Sequence, residues 1–153
     1  MSWLAAVGRA SIWHPDAIPA GERKYASPLK RVLFPVFDAA IILFGIAGLR
    51  VGFQAMTLTF PMPVPSIIYG LLIAAGAICF IGCAFPRLWV QEIVGKLVIL
   101  MTLGVLLVAM LIAGTTIPGH TGVAVAPMVF VMTLPPFLRL WLLGVEWGDR
   151  GTS

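Results

Sequence analysis

Four mainly apolar stretches, at residues 32–53, 66–85, 93–113 and 123–143, occupy most of this 153-residue chain. Each is close to the ~20 residues that a helix needs to cross ~30 Å of hydrocarbon at ~1.5 Å per residue. In lipid every backbone N–H and C=O must be satisfied within the segment, so a helix is the form that such stretches take. The expected fold is therefore all-α: a polytopic membrane protein with four transmembrane helices in an antiparallel bundle. The residues outside the spans are too few for a separate soluble domain. Residues 1–31 form an N-terminal segment, 32–147 the helical domain and 148–153 a short tail.

Charge sets the expected orientation. Arg9, Arg23, Lys24, Lys30 and Arg31 precede the first span, Arg87 and Lys96 lie around the second link, and Arg139 and Arg150 lie at the C-terminal end. Arg50 alone falls at the opposite end of a span, and the linkers 54–65 and 114–122 carry no formal charge. The positive-inside rule then places both termini in the cytoplasm and those two linkers outside, in the cytoplasmic membrane. The net charge of +4 belongs to flanking residues that meet anionic headgroups. No basic run is interleaved with a nucleic-acid reading motif, so nucleic acid is not an expected partner.

Local signals refine the bundle. Trp3, Leu4, Val7, Ile12 and Trp13 surround Arg9 in a segment suited to a short helix in the headgroup layer; His14-Pro15-Asp16 ends it. Ser27-Pro28 has the form of a helix start, and Pro35 should bend the first helix near its beginning. Gly45, Gly48 and Gly52, with Gly76 in the second span, are candidates for close helix packing. Pro61-Met62-Pro63-Val64-Pro65 favours an extended path and a new helix at Ser66. Glu92 and Lys96 stand at i,i+4 in the favourable order for a pair on one helix. Pro118-Gly119 marks a turn between spans three and four. Pro135-Pro136 removes two adjacent backbone donors and should break or sharply kink the fourth helix.

Chemistry-bearing residues are few. Asp38, ~9 Å inside the first helix at the usual rise, is the acidic residue within a span and so a candidate functional group. Pairing competes with that role: Arg31 lies on nearly the same helix face, and Arg139 should reach similar depth on span four. Asp38, Arg139 and Arg31 form the candidate intramembrane polar site. Cys79 and Cys83 share a helix face at i,i+4, a poor geometry for a disulfide, and read as buried apolar-type thiols. No metal-ligand run, nucleophile elbow or phosphate loop is present, and His14 and His120 fall on opposite sides of the membrane. Neither an enzyme nor a cofactor or metal site is expected.

The basic N-terminal segment, the four spans and the run Phe85-Pro86-Arg87-Leu88-Trp89 leading to Glu92, Gly95 and Lys96 resemble small four-span membrane proteins encoded by bacteriophages of actinobacteria. Some of these are holin-like. The resemblance implies a lysis or host-membrane role and carries no functional residues across. The leading expectation is a non-enzymatic protein that self-associates in the cytoplasmic membrane, in its most concrete form a holin-like permeabiliser. Two further readings stand beside it: a small transporter or channel with Asp38 in its pathway, and an accessory subunit of a larger membrane complex. The expected partners are the lipid bilayer and either a second copy or a membrane-complex partner.

Overall fold

The computed structural model describes residues 11–14, 28–85, 88–117 and 122–151, with side chains up to Gly144. Four helices are long and apolar enough to cross a membrane, over Leu29–Val51, Val64–Ala84, Trp89–Thr116 and Gly122–Gly144. The first begins with a π-helical turn, Leu29–Leu33, and continues as α1, Phe34–Val51. A short α2, Gln54–Thr59, precedes α3, Val64–Ala84, and the long helices α4, Trp89–Thr116, and α5, Gly122–Gly151, complete the chain. Among the described residues there is no strand.

Each helix turns one stripe inward. On α1 it is Phe34, Asp38, Ile41, Gly45 and Gly48, and on α4 Glu92, Lys96, Ile99, Leu103, Leu106, Met110 and Ala113. The alternating steps of three and four keep such residues on one face of a 3.6-residue turn. The remaining faces present Val36, Leu43, Met101, Val108, Phe130 and Phe137 outward. Because lipid tails are as apolar as those side chains, close packing and polar contacts, rather than burial from water, hold the helices together.

Small residues set the approach distances. A Cβ on Gly48 would lie 2.5 Å from the Tyr69 ring, on Gly45 2.7 Å from Ile73, and on Gly76 2.8 Å from Ile42, so all three admit the α1–α3 contact. Gly52 does something else: at φ 71° it ends α1, its N–H bonding the Gly48 carbonyl. That left-handed conformation favours glycine. Helix α3 packs on α1 and α4, α4 packs on α5, and α5 touches α1 far less than it touches α4. A Cβ on Gly114 would meet the Val123 backbone nitrogen at 2.5 Å, which places α4 and α5 as a tight antiparallel hairpin.

Three expectations change. The run 61–65 does not take an extended path: residues 62 and 63 form a turn, and before it α2 folds back on α4, burying Ala55 and Met56, while the Phe53 N–H is held by the Tyr69 hydroxyl at 3.1 Å. Helix α3 accordingly starts at Val64, before Ser66, with Pro65 in its first turn where no backbone donor is needed. Of the break or sharp kink expected at Pro135-Pro136, the break does not occur: α5 carries Pro127, Pro135 and Pro136 within one continuous helical run. Both prolines of the pair accept a helical φ, and what they remove is two donors rather than the helix itself. The tip at Pro118-Gly119, with His120, and the run Pro86-Arg87 lie outside the described residues, as does most of the proposed interfacial helix. Of that segment, residues 11–14 form a turn.

This turn explains Arg31. Its guanidinium donates from Nε to the Ile12 carbonyl at 3.1 Å and from Nη2 to the His14 carbonyl at 2.9 Å. Pro35 has no N–H to offer the Arg31 carbonyl four residues back, and that carbonyl accepts the Trp13 indole N–H at 3.2 Å. The Ile12 N–H in turn bonds the Ala84 carbonyl at 2.9 Å, satisfying a C-terminal carbonyl of α3. The turn thus ties the start of the first span to the end of the second.

Candidate functional site: a buried charge network

Four ionisable side chains from three helices meet in the half of the bundle that holds the start of α1, the end of α3 and the start of α4. Asp38 of α1 and Lys96 of α4 are both 0% exposed and form an ion pair, the lysine Nζ donating to Oδ1. Glu92 lies one turn before Lys96 on α4 and receives both bonds of a guanidinium fork. Arg139 of α5 donates from Nε to Oε1 at 2.6 Å and from Nη2 to Oε2 at 2.9 Å. Two acids and two bases leave the cluster neutral. In a low-dielectric interior each unpaired charge would cost several kcal/mol, roughly, so neutrality is a condition of its existence.

Apolar and aromatic walls close the network. The Lys96 ammonium lies 5.7 Å from the centre of the Phe37 ring and the Arg139 guanidinium carbon 5.2 Å from that of Phe34, both within cation–π range. From α3 comes a side built of small residues. A Cβ on Gly82 would be 2.9 Å from the Glu92 Cβ, and one on Gly95 would be 2.5 Å from the Cys79 sulfur. The Cys79 thiol faces the Glu92 carbonyl oxygen at 3.7 Å and the Cys83 thiol the Lys30 carbonyl at 3.9 Å. Both cysteines are free and buried, as expected.

Of the candidate polar site, Asp38 and Arg139 are brought to the same cluster and Arg31 is not. The expected partners of Asp38, Arg31 or Arg139, give way to Lys96. The expected i,i+4 pair of Glu92 with Lys96 gives way to two pairs between helices. The charge pattern alone places Lys96 and Arg139 at the membrane flank. Both are instead buried inside the bundle. The signal that would have found them is the α4 stripe: Glu92 and Lys96 fall in register with Ile99, Leu103 and Leu106, and on α5 Arg139 falls in register with Val129 and Leu143.

One detail bears on chemistry. Asp38 Oδ2 is buried and receives no hydrogen bond among the described residues, although a buried carboxylate normally has its lone pairs satisfied. Among the described residues no three His, Cys, Asp or Glu side chains gather as a metal site. The fold and this site define a small multi-pass membrane protein with a neutral, buried charge network. No family model, no curated protein and no solved structure matches the chain.

Proposed function

We propose that the protein is a small non-enzymatic transporter or channel in which Asp38 takes up and releases a proton. The observation that carries the reading is the fully buried Asp38 carboxylate, whose Oδ2 receives no hydrogen bond among the described residues. A metal cation is a poorer occupant, since hard cations require several oxygen ligands and Lys96 and Arg139 would repel one. A proton on Asp38 would remove the counter-charge of Lys96. The nearest replacement is Glu92, one turn away on the same helix, which would then loosen its fork with Arg139. Occupancy of one carboxyl thereby bears on how α4 holds both α1 and α5.

The test uses the purified full chain in liposomes containing a pH dye, with an imposed pH gradient and a potassium ionophore to balance charge. Protein-dependent proton flux is expected, lost in Asp38→Asn and partly kept in Asp38→Glu. Flux equal to that of empty liposomes, or undiminished in Asp38→Asn, overturns the reading.

The holin-like reading has its own support in α5, whose outward face carries Phe130, Val131, Leu134, Phe137 and Trp141. Such a face suits contact between copies. It predicts release of an entrapped fluorophore far larger than a proton, rising steeply with protein density and indifferent to Asp38→Asn.

For either reading we place the end bearing Lys30, Arg31 and the charge network toward the cytoplasm, on the positive-inside rule. In intact cells, a membrane-impermeant thiol reagent should label a single cysteine at Met62 and spare one at Glu22. The reverse pattern would invert the topology.

A further inference from the structure

The turn of residues 11–14 bridges the seam between the start of the first span and the end of α3, at the end of the bundle that holds the charge network. The Arg31 guanidinium donates to the Ile12 and His14 carbonyls, the Trp13 indole N–H donates to the Arg31 carbonyl, and the Ile12 N–H donates to the Ala84 carbonyl. The seam leads inward to the network. Along α1, Phe34 and Asp38 follow Arg31 at about one and about two turns, and both are 0% exposed. Along α3, Cys83 precedes Ala84, is 1% exposed and directs its thiol at the Lys30 carbonyl, and Gly82 before it lies against Glu92.

The sequence of the first helix creates the docking point. Its first turn is π-helical, with the Phe34 N–H bonding the Leu29 carbonyl. Pro35 then has no N–H to give the carbonyls four and five residues back, those of Arg31 and Lys30. These are the carbonyls that the Trp13 indole and the Cys83 thiol meet. An unbroken α-helix would have kept both for itself and left Trp13 no acceptor there.

Turn and bundle are held with unequal firmness. Ile12 is the apolar side chain that the turn buries, whereas Trp13 is half exposed and its indole bond to Arg31 lies open to solvent. Beneath the turn, the ion pairs of Asp38 with Lys96 and of Glu92 with Arg139 are buried between helices. A segment with few buried contacts and exposed hydrogen bonds opens locally while the rest of the fold stays intact. Arg31 is the latch of this segment, since its fork spans two carbonyls of the turn while its charge stays out of the network.

We propose that residues 11–14 form a strap, latched by Arg31, that covers the charge network, and that water reaches Asp38 when the strap lifts. Its part in transport rests on the proton reading of Asp38; the cover itself does not. The test applies two readouts to the reconstituted full chain. Alkylation by N-ethylmaleimide, located by mass spectrometry, reads access to Cys83 independently of any flux, and the liposome assay reads proton movement. Arg31→Gln should raise the alkylation rate of Cys83 about tenfold, and proton flux with it. Trp13→Phe, which loses one bond of the strap, should raise both by less. Arg50→Gln, at the other end of α1, should change neither. Unchanged alkylation of Cys83 in both strap variants overturns the proposal. Equal acceleration at Cys79, one turn deeper, would mean a loosened bundle and also overturns it. Faster alkylation of Cys83 without faster flux, in a protein whose unaltered form conducts protons, overturns the strap as a gate. Faster alkylation of Cys83 alone, with no proton flux from any of the proteins, would defeat the proton reading and support the strap as a cover.

Discussion

Lys96→Met should cost the folded bundle about 3–5 kcal/mol, the range found when one partner of a buried ion pair is removed and the other is left charged in a low-dielectric site. The lost ammonium is the hydrogen-bond partner of Asp38, and both side chains are fully buried. The double variant Asp38→Leu with Lys96→Met removes both charges together and should recover most of that loss, since well-packed apolar replacements of a buried pair are often neutral. Thermal unfolding of the detergent-purified protein reads both. A double variant no more stable than Lys96→Met alone would show that the two residues do not form an energetic pair. The same variant should carry no proton flux, so stability and function separate cleanly at this position.

A second large effect is expected at Gly95. Its Cβ would stand 2.5 Å from the Cys79 sulfur and 3.2 Å from the Ala75 carbonyl oxygen, so Gly95→Ala must push α3 and α4 apart where Glu92 and Lys96 are held. Overpacking of this kind costs about 1–3 kcal/mol. Gly104, two and a half turns further along the same helix, has nothing within 4 Å of its Cβ position. There alanine should be neutral or stabilising by up to ~1 kcal/mol, its ordinary helical advantage over glycine. Equal melting temperatures for the two alanine variants would remove the tight α3–α4 approach from the account.

The same contrast explains what the sequence disclosed and what it concealed. Long apolar runs and turn residues place four helices with ends shifted by only a few residues, because hydrocarbon thickness dictates their length. Asp38 stands out because a lone acid within a span is costly. Its partner does not stand out, since Lys96 lies four residues from Glu92 and a local helical pair is the simplest reading. Tertiary packing overrides that pair: Asp38 approaches from α1 and Arg139 from α5, and each acid is better satisfied across the interface. Gly48 and Gly52 show a similar division. Their spacing suggests one packing motif, but Gly48 meets the Tyr69 ring while Gly52 ends the helix at positive φ. Helix α2 is not legible in the sequence, because six residues among prolines and threonines carry too little periodicity to signal a buried face. What holds it is distant in sequence: Tyr69 against Phe53 just before it, and α4 beneath it.

Under the proposed function, Asp38 changes protonation state inside this network. Infrared difference spectroscopy of the reconstituted protein, recorded between alkaline and acidic buffer, reads the carbonyl band of a neutral carboxylic acid directly. A band that appears on acidification, is absent in Asp38→Asn and reverses when the buffer is returned to alkaline pH is the predicted result. A spectrum of the unaltered protein identical to that of Asp38→Asn over the whole range would show an aspartate that never changes state, and would contradict the claim.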